Sequence, residues 1–293
     1  MINLQNMDGL EFLESLPDNS VDLILTDPPY ITSRETGMDK WVTHIQEQDK
    51  EGSKNARTEL QWNNYKTKEE WDQWFEKSNI KKENRTNRLA KMKKDYIKYG
   101  SIYGKKYAVT TDYGEWDSEF TLEKLDLFIK HYFRVLKPGG TCIVFFDIWK
   151  ITNLKNLLEG AKFKQIRFLE WIKTNPQPIN SKVNYLTNCR EIALLGIKKS
   201  KPTFNSKYDN AIYQFPLQGG KDRFHPTQKS LPLFEELIRK HSNEGDLVLD
   251  TFAGSATTAI AAINTNRHFI GTELDEEFYN KSVERIQKTL DKR

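Results

Sequence analysis

Cysteine is nearly absent from this sequence: Cys142 and Cys189 are the only two among 293 residues. Two widely separated thiols offer no zinc-type ligand spacing and no disulfide framework, and Cys142 falls in an apolar run that reads as a core strand. No apolar run approaches the length that crosses a membrane, and the amino terminus has no secretory leader. A large excess of charge is missing too. Basic residues number 45 and acidic ones 41, a net +4 that is too small to mark a nucleic-acid partner by itself. These absences lead to the expectation of a soluble protein of the reducing cytoplasm, with no metal site and no membrane partner. At 293 residues the chain suits one large α/β domain with an insertion, or two small domains. With 37% hydrophobic and 29% charged residues it can build a core while keeping a heavily charged surface.

What the sequence does contain centres on Asp27-Pro28-Pro29-Tyr30. The preceding Val21-Asp22-Leu23-Ile24-Leu25-Thr26 reads as a buried strand. Pro28 bars a helical conformation at Asp27, so the four residues should form a stiff turn at the carboxyl end of that strand. In an open α/β sheet this is where ligands bind. A carboxylate at Asp27 and the Pro28 carbonyl could both accept hydrogen bonds from an exocyclic amine of adenine or cytosine. Held in this way, the nitrogen moves towards tetrahedral geometry and its lone pair becomes available to attack a methyl group. Tyr30 offers a flat face to a base flipped out of a duplex. The competing reading is a rigid strand-ending turn with no chemistry.

Before this turn, Ile2-Asn3-Leu4 reads as a short strand, followed by a helix through Leu10, Phe12, Leu13 and Leu16. Asp8 lies between the two. It reads either as the helix N-cap or as an acceptor for a ligand amine. Residues 31–115 have few aliphatics and a helix-like piece at Glu69–Lys77 carrying Trp71, Trp74 and Phe75. From Lys77 to Lys106 there are eleven basic residues against Glu83 and Asp95, with Tyr96, Tyr99, Tyr103 and Tyr107 interleaved. Basic side chains neutralise phosphates and tyrosines can stack on bases, so the stretch reads as a DNA-contacting insertion; a solvated basic helix is the alternative.

Regular structure resumes with an amphipathic helix from Thr121 to Leu136, ended by Lys137-Pro138-Gly139-Gly140. Strands are expected at Thr141–Phe146, Ile166–Ile172 and Glu191–Ile197, with a helix over 152–159 and polar loop over 198–224. His225-Pro226-Thr227-Gln228-Lys229-Ser230 precedes a helix through Leu233, Phe234, Leu237 and Ile238. Thr227 and Lys229 could hold a carboxylate, and His225 reads as a capping or buried histidine. Asp246–Thr251 is then a strand, and Phe252-Ala253-Gly254-Ser255-Ala256-Thr257-Thr258 turns tightly into a helix starting near Thr258. The next strand, His268–Thr272, ends at Glu273, some twenty residues beyond Gly254. Small residues let a ligand approach the backbone, and an acid so placed can bind both ribose hydroxyls. With one firm glycine and no following lysine, the turn points to a nucleoside without a pyrophosphate. A tight turn beside a surface glutamate is the plain alternative.

In order and spacing, four stretches resemble the β-class amino-group DNA methyltransferases: Asp27–Tyr30, His225–Lys229, Asp250–Thr258 and Gly271-Thr272-Glu273-Leu274-Asp275. Leu136–Gly140 and Trp171-Ile172-Lys173-Thr174-Asn175-Pro176 fit as well. The resemblance implies a doubly wound, Rossmann-like, mostly parallel sheet with one antiparallel strand, interrupted by a largely helical basic insertion. It divides the chain into a methyltransferase domain, residues 1–30 and 111–293, and an inserted DNA-contacting segment, residues 31–110. Implied roles are a catalytic set of Asp27, Pro28, Pro29 and Tyr30 and an S-adenosylmethionine set of Asp8, Asp27, Thr227, Lys229, Asp250, Phe252, Gly254, Ser255, Thr257 and Glu273. Asp8 would take the cofactor's adenine, Glu273 its ribose, and Thr227 and Lys229 its methionine end. The implied activity is methylation of adenine N6 in base-flipped DNA, with cytosine N4 as the alternative and a catalytically silent nucleic-acid-binding protein behind both. A homodimer and a paired restriction endonuclease are compatible with it. The chain departs from the family pattern at Thr251 and Ser230, where proline is common, and at Ala256, usually glycine. None of these removes a functional group.

Overall fold

The computed structural model describes residues 1–30, 57–78, 80–99, 102, 120–176, 189–219, 223–225 and 227–292. Residues 31–56 and 103–119, with the expected stacking residues Tyr103 and Tyr107, lie outside them, as do Pro226 and the side chain of Tyr99. The chain divides into two compact units, Met1–Thr32 with Tyr113–Arg293, and Ser33–Asp112. Among the described residues, no helix is long and apolar enough to cross a membrane.

Among the described residues the first unit is built on eight strands: β1 (Ile2–Asn6), β2 (Val21–Thr26), β3 (Leu136–Phe146), β4 (Lys164–Lys173), β5 (Arg190–Ile197), β6 (Ile212–Phe215), β7 (Leu247–Asp250) and β8 (His268–Glu273). They lie side by side in the order β1-β8-β7-β2-β3-β5-β4-β6. Every adjacent pair is parallel except those that β5 makes with β3 and β4. Among the described residues β5 is therefore the single reversed strand. Helix α1 (Gly9–Ser15) follows β1. The central strands are buried on both faces, which is why they read as continuous apolar runs rather than alternating ones. One core contains Leu23, Leu25, Ile143, Phe145 and Phe234, and the other contains Ile24, Cys142, Val144, Phe128 and Leu249.

The pleat sends successive residues of β2 and β3 to opposite cores. The register Thr26↔Val144 and Asp250↔Gly271 brings the carboxyl ends of β2, β3, β7 and β8 to one rim. Because β5 runs the other way, its amino end, Arg190–Ile192, reaches that same rim, with Ile192 opposite Phe146 and Glu191 opposite Trp171.

Two boundaries differ from the sequence-based expectation. β3 begins at Leu136, which pairs with Val21, and the ladder resumes at Leu23↔Thr141 after a register shift. Lys137–Gly140 is thus accommodated as an irregularity within the strand, with Gly139 at φ 87°. Residues 198–224 are not all loop. They include β6, a four-residue edge strand parallel to β4, too short to show a periodic pattern of its own.

In the second unit the helices are α2 (Glu59–Asn63), α3 (Lys68–Lys77) and α4 (Arg85–Tyr99). Capping boxes Thr58/Gln61 and Thr67/Glu70 start α2 and α3, satisfying amide groups that would otherwise lack partners. Trp62, Trp71, Phe75, Met92, Tyr96 and Ile102 form a separate core. Tyr96, expected to stack on bases, is instead buried against Trp62 and Tyr65. Its spacing from Met92 places both on the inner face of α4, and the basic residues Arg88, Lys91 and Lys94 are exposed. Lys93 pairs with Glu59 at 3.0 Å.

Candidate active site

β2 delivers Asp27 to the rim, and the Pro28-Pro29 pair turns the chain there. The remaining helices of this unit are α5 (Leu122–Val135), α6 (Ile151–Gly160), α7 (Leu231–His241), α8 (Thr257–Asn264) and α9 (Glu276–Leu290). Lys229 stands just before α7 and is buried, its side chain 8% exposed. Its Nζ lies 2.7 Å from Asp27 Oδ2 and 2.8 Å from Glu191 Oε2. Glu191 Oε1 in turn meets Lys173 Nζ, at the end of β4, at 2.7 Å. Four charges of alternating sign therefore run along the rim from Asp27 to Lys173. The Lys229 ammonium also lies 5.4 Å from the centre of the Tyr30 ring and 5.6 Å from that of Phe145.

Burial raises the carboxyl of Asp27, and the single ammonium facing it offsets only part of that rise. Burial alone would lower Lys229, but Asp27 and Glu191 more than reverse this and hold it protonated. Glu191 also carries a desolvation penalty, yet two ammoniums keep it below the usual carboxylate range. Asp27 is thus the carboxylate of the group that takes up a proton first. Its Oδ1 and the Tyr30 hydroxyl are buried with no hydrogen-bond partner among the described residues. Buried polar atoms are almost always paired, so a buried carboxylate oxygen left open beside a stiff turn marks a place for a donor from outside.

A second group forms at β7 and β8. Glu273 ends β8, where Oε2 accepts from the Gly254 amide at 2.7 Å and Oε1 from that of Asp275 at 2.9 Å. Burial nevertheless pushes its carboxyl up to about 7. Each oxygen keeps lone-pair capacity for a further donor. Gly254 has φ 52° and Ala256, in the same turn, φ 57°. Phe252 packs against Phe128 and Phe120. Ser255 and Thr257 share a hydroxyl contact of 3.1 Å, and Arg285 of α9 reaches the Ser255 carbonyl at 2.7 Å and Thr257 Oγ1 at 3.1 Å. Ser282, one turn earlier, donates to the Gly254 carbonyl. The cofactor-type turn is therefore braced from behind by α9, which no sequence motif marks.

Three expected site residues have structural duties as well. Asp250 receives Thr26 Oγ1 at 2.7 Å, Thr258 Oγ1 at 2.5 Å and the Phe252 amide at 3.0 Å. It ties β2, β7 and α8 together with both oxygens. Asp8 caps α1, accepting from the Leu10 amide at 2.7 Å through Oδ1, while Oδ2 faces Lys124 at 3.7 Å. Thr227 contacts His225 Nδ1 through its hydroxyl at 3.1 Å. Burial first, then Lys229, lower His225 to about 4, so it is neutral near pH 7 and packs against Phe278, as a buried histidine. Lys229 is expected from sequence to hold a ligand's carboxylate; the carboxylates it meets here are the chain's own.

Glu191 escapes a sequence reading because it opens a strand, whereas ligand-binding residues of an α/β sheet are sought at strand ends. The available signal is a carboxylate directly before a buried apolar run. Among the described residues no cluster of three His, Cys, Asp or Glu side chains could hold a metal.

A family model described as DNA methylase matches residues 91–284, a span that includes Glu191, Lys229, the Gly254 turn and Glu273. The type II methyltransferase M2.DpnII of Streptococcus pneumoniae is 31% identical over 200 residues, covering 61% of this chain and 74% of that protein. M2.MboI of Moraxella bovis is 27% identical over 98% of this chain and 88% of its own length. Among solved structures, the M1.HpyAVI–SAM complex superposes with a TM-score of 0.58 at 24% identity, covering 98% of this chain and 99% of that one. The cytosine-N4-specific PvuII DNA methyltransferase superposes with a TM-score of 0.60 at 17% identity, covering 99% and 91%. Such distant structures establish the fold, while the family match and the 31% relative establish kinship. The chain therefore belongs to the N6/N4 amino-group class of DNA methyltransferases.

Proposed function

We propose that this protein transfers a methyl group from S-adenosylmethionine to the exocyclic N6 amine of adenine in DNA. The observation that carries the reading is the open, buried Oδ1 of Asp27 beside Tyr30 at the end of β2. The amine of a flipped base would donate one hydrogen bond there and a second to the Pro28 carbonyl, while Tyr30 stacks on the ring. Asp27, whose carboxyl burial raises to about 6, stays largely ionised near pH 7 and is placed to receive the proton that the nitrogen loses. Pro29 keeps the turn stiff. Positioning and hydrogen-bond polarisation then account for most of the rate.

The donor set fits the cofactor. Glu273 would take the ribose hydroxyls, Gly254, Ser255 and Thr257 would line the close approach, and Phe252 would contact the sugar and methionine region. Asp8 would take the cofactor's adenine amine through its uncapped oxygen. Thr227 would hold the methionine end, Lys229 being engaged by Asp27 and Glu191, and Asp250 would keep the turn in shape. When bound, the cofactor supplies a methyl carbon on a sulfonium that accepts the bond's electron pair. The relationship to M1.HpyAVI, crystallised with SAM, supports this choice. Aspartate at the head of the turn favours adenine, as the resemblance implies.

The second unit, with exposed basic residues on α4, is proposed as the DNA-contacting segment. The type II relatives support a cytoplasmic place in restriction–modification beside a cognate endonuclease, and a homodimer belongs to the same reading.

Purified protein incubated with unmethylated DNA and S-adenosylmethionine should yield N6-methyldeoxyadenosine on digestion and mass spectrometry, and Asp27→Ala should abolish it. N4-methyldeoxycytidine instead would overturn the choice of base. Turnover retained by Asp27→Ala would remove that carboxylate from the mechanism.

A further inference from the structure

We propose that Glu191 is a positioning residue for methyl transfer: by sharing Lys229 with Asp27, it holds the ammonium on Asp27 Oδ2 and leaves Oδ1 as the free acceptor. The assignment rests on the reading of Asp27 as the acceptor of the target amine.

The geometry is specific. Lys229 Nζ sits 2.7 Å from Asp27 Oδ2 and 2.8 Å from Glu191 Oε2, so two of its three N–H donors have fixed partners. Glu191 cannot follow Lys229 towards Asp27, because Lys173 holds its other oxygen at 2.7 Å. Lys173 is itself fixed over Trp171 at 5.5 Å, and that tryptophan is fully buried. The arrangement is anchored to β4 and β5, not to the catalytic turn. Without the pull of Glu191, an ammonium confined between the Tyr30 and Phe145 rings would be drawn onto both oxygens of Asp27. Oδ1 would then be occupied by a cation, and a cation in that place repels a nitrogen that must develop positive charge. Glu191 thus selects which face of the catalytic carboxylate is open.

The charges facing Asp27 come from several elements. They are Lys229 before α7, Glu191 on β5, Asp250 on β7 and, at one remove, Lys173 on β4, with the Tyr30 phenol on the same turn. Removing the Glu191 charge leaves Lys229 undivided, so Asp27 ionises at lower pH. Removing Lys229 does the reverse. A group that served only packing would lower the rate at every pH and leave the titration in place.

The test is the pH dependence of single-turnover methyl transfer with saturating cofactor and DNA, measured for the wild type, Glu191→Gln, Glu191→Asp and Lys229→Met. Cofactor affinity is measured by calorimetry as a check of the fold. In Glu191→Gln the acidic limb should move to lower pH by on the order of one unit, with a plateau about tenfold lower. Glu191→Asp keeps the charge but shortens the reach, so its limb should stay near the wild-type position while the plateau falls. In Lys229→Met the limb should move to higher pH. If Glu191→Gln is poorly folded, a lowered plateau with an unshifted limb in Glu191→Asp, beside a limb moved to higher pH in Lys229→Met, still supports the assignment. A wild-type plateau in Glu191→Asp or an unshifted limb in Lys229→Met overturns it. A Glu191→Gln enzyme with wild-type plateau and limb also overturns it. Asp27→Asn separates this from the broader reading: turnover retained in that variant sinks the role of Asp27 itself. An inactive Asp27→Asn beside a wild-type-like Glu191→Gln sinks the role of Glu191 alone.

Discussion

Glu273 is a carboxylate that its own backbone partly satisfies and that burial still raises to about 7. A ligand whose hydroxyls donate to it requires the ionised form. Below pH 7 a proton must leave before binding, so affinity for S-adenosylmethionine should weaken by up to about tenfold per pH unit as pH falls through that range. Calorimetry at pH 6 and pH 8 checks this, and Glu273→Gln should bind weakly with the slope abolished. A wild-type affinity that is flat between the two values would detach Glu273 from the ribose. At this scale the positions of Asp27 and Glu273 at strand ends were legible, Asp27 after the apolar run Val21–Thr26 and Glu273 at the close of the short strand that follows the Gly254 turn. Glu191 was not, since its place on the rim depends on which strand is reversed, and that is settled by the pairing of β5 with β3 and β4. Nor was the brace formed by Asp250, whose partners Thr26 and Thr258 are distant or inconspicuous in sequence.

The β7–α8 turn and its neighbouring strand separate two kinds of glycine. At Gly254 the backbone is left-handed, with φ 52°, but a Cβ would meet only the His225 ring at 3.6 Å. Gly254→Ala should therefore fold, losing about 1 kcal/mol to the left-handed conformation, while its methyl group obstructs the cofactor. At Gly271, inside β8, a Cβ would strike the Asp250 carbonyl and lie 2.6 Å from the Phe269 ring. Backbone locked in a sheet cannot give way, so Gly271→Ala should lose about 3 kcal/mol. Thermal unfolding beside cofactor titration distinguishes them: the first variant should lose affinity with a small change in Tm, the second should lose Tm. Equal losses of Tm in both would refute the distinction. Most elements were readable here because both-face burial produces unmistakable apolar runs. β6 was hidden because four edge residues with two exposed side chains, Ile212 and Gln214, carry no such run.

Across the whole molecule, charge is nearly balanced, so DNA affinity must come from where the charges stand. Lys93 is already paired with Glu59, which leaves Arg88, Lys91 and Lys94 as the exposed basic candidates among the described side chains of α4. Replacing these three with glutamine should weaken DNA binding and flatten the dependence of log K on log salt by about one unit for each phosphate no longer neutralised. An unchanged salt slope would assign DNA binding to other surfaces and leave α4 as a solvated helix. Tyr96 will not contribute, since its ring stabilises the second unit's core. The reversed strand β5 has a consequence for how such a protein can diversify. β4 leaves the sheet at the reactive rim and β5 returns to it there, between Lys173 and Glu191. Chain inserted or exchanged in that connection starts and finishes beside the chemistry, while the opposite edge and both cores are untouched. Substrate preference can therefore drift through one short stretch without renegotiating the architecture that supports it.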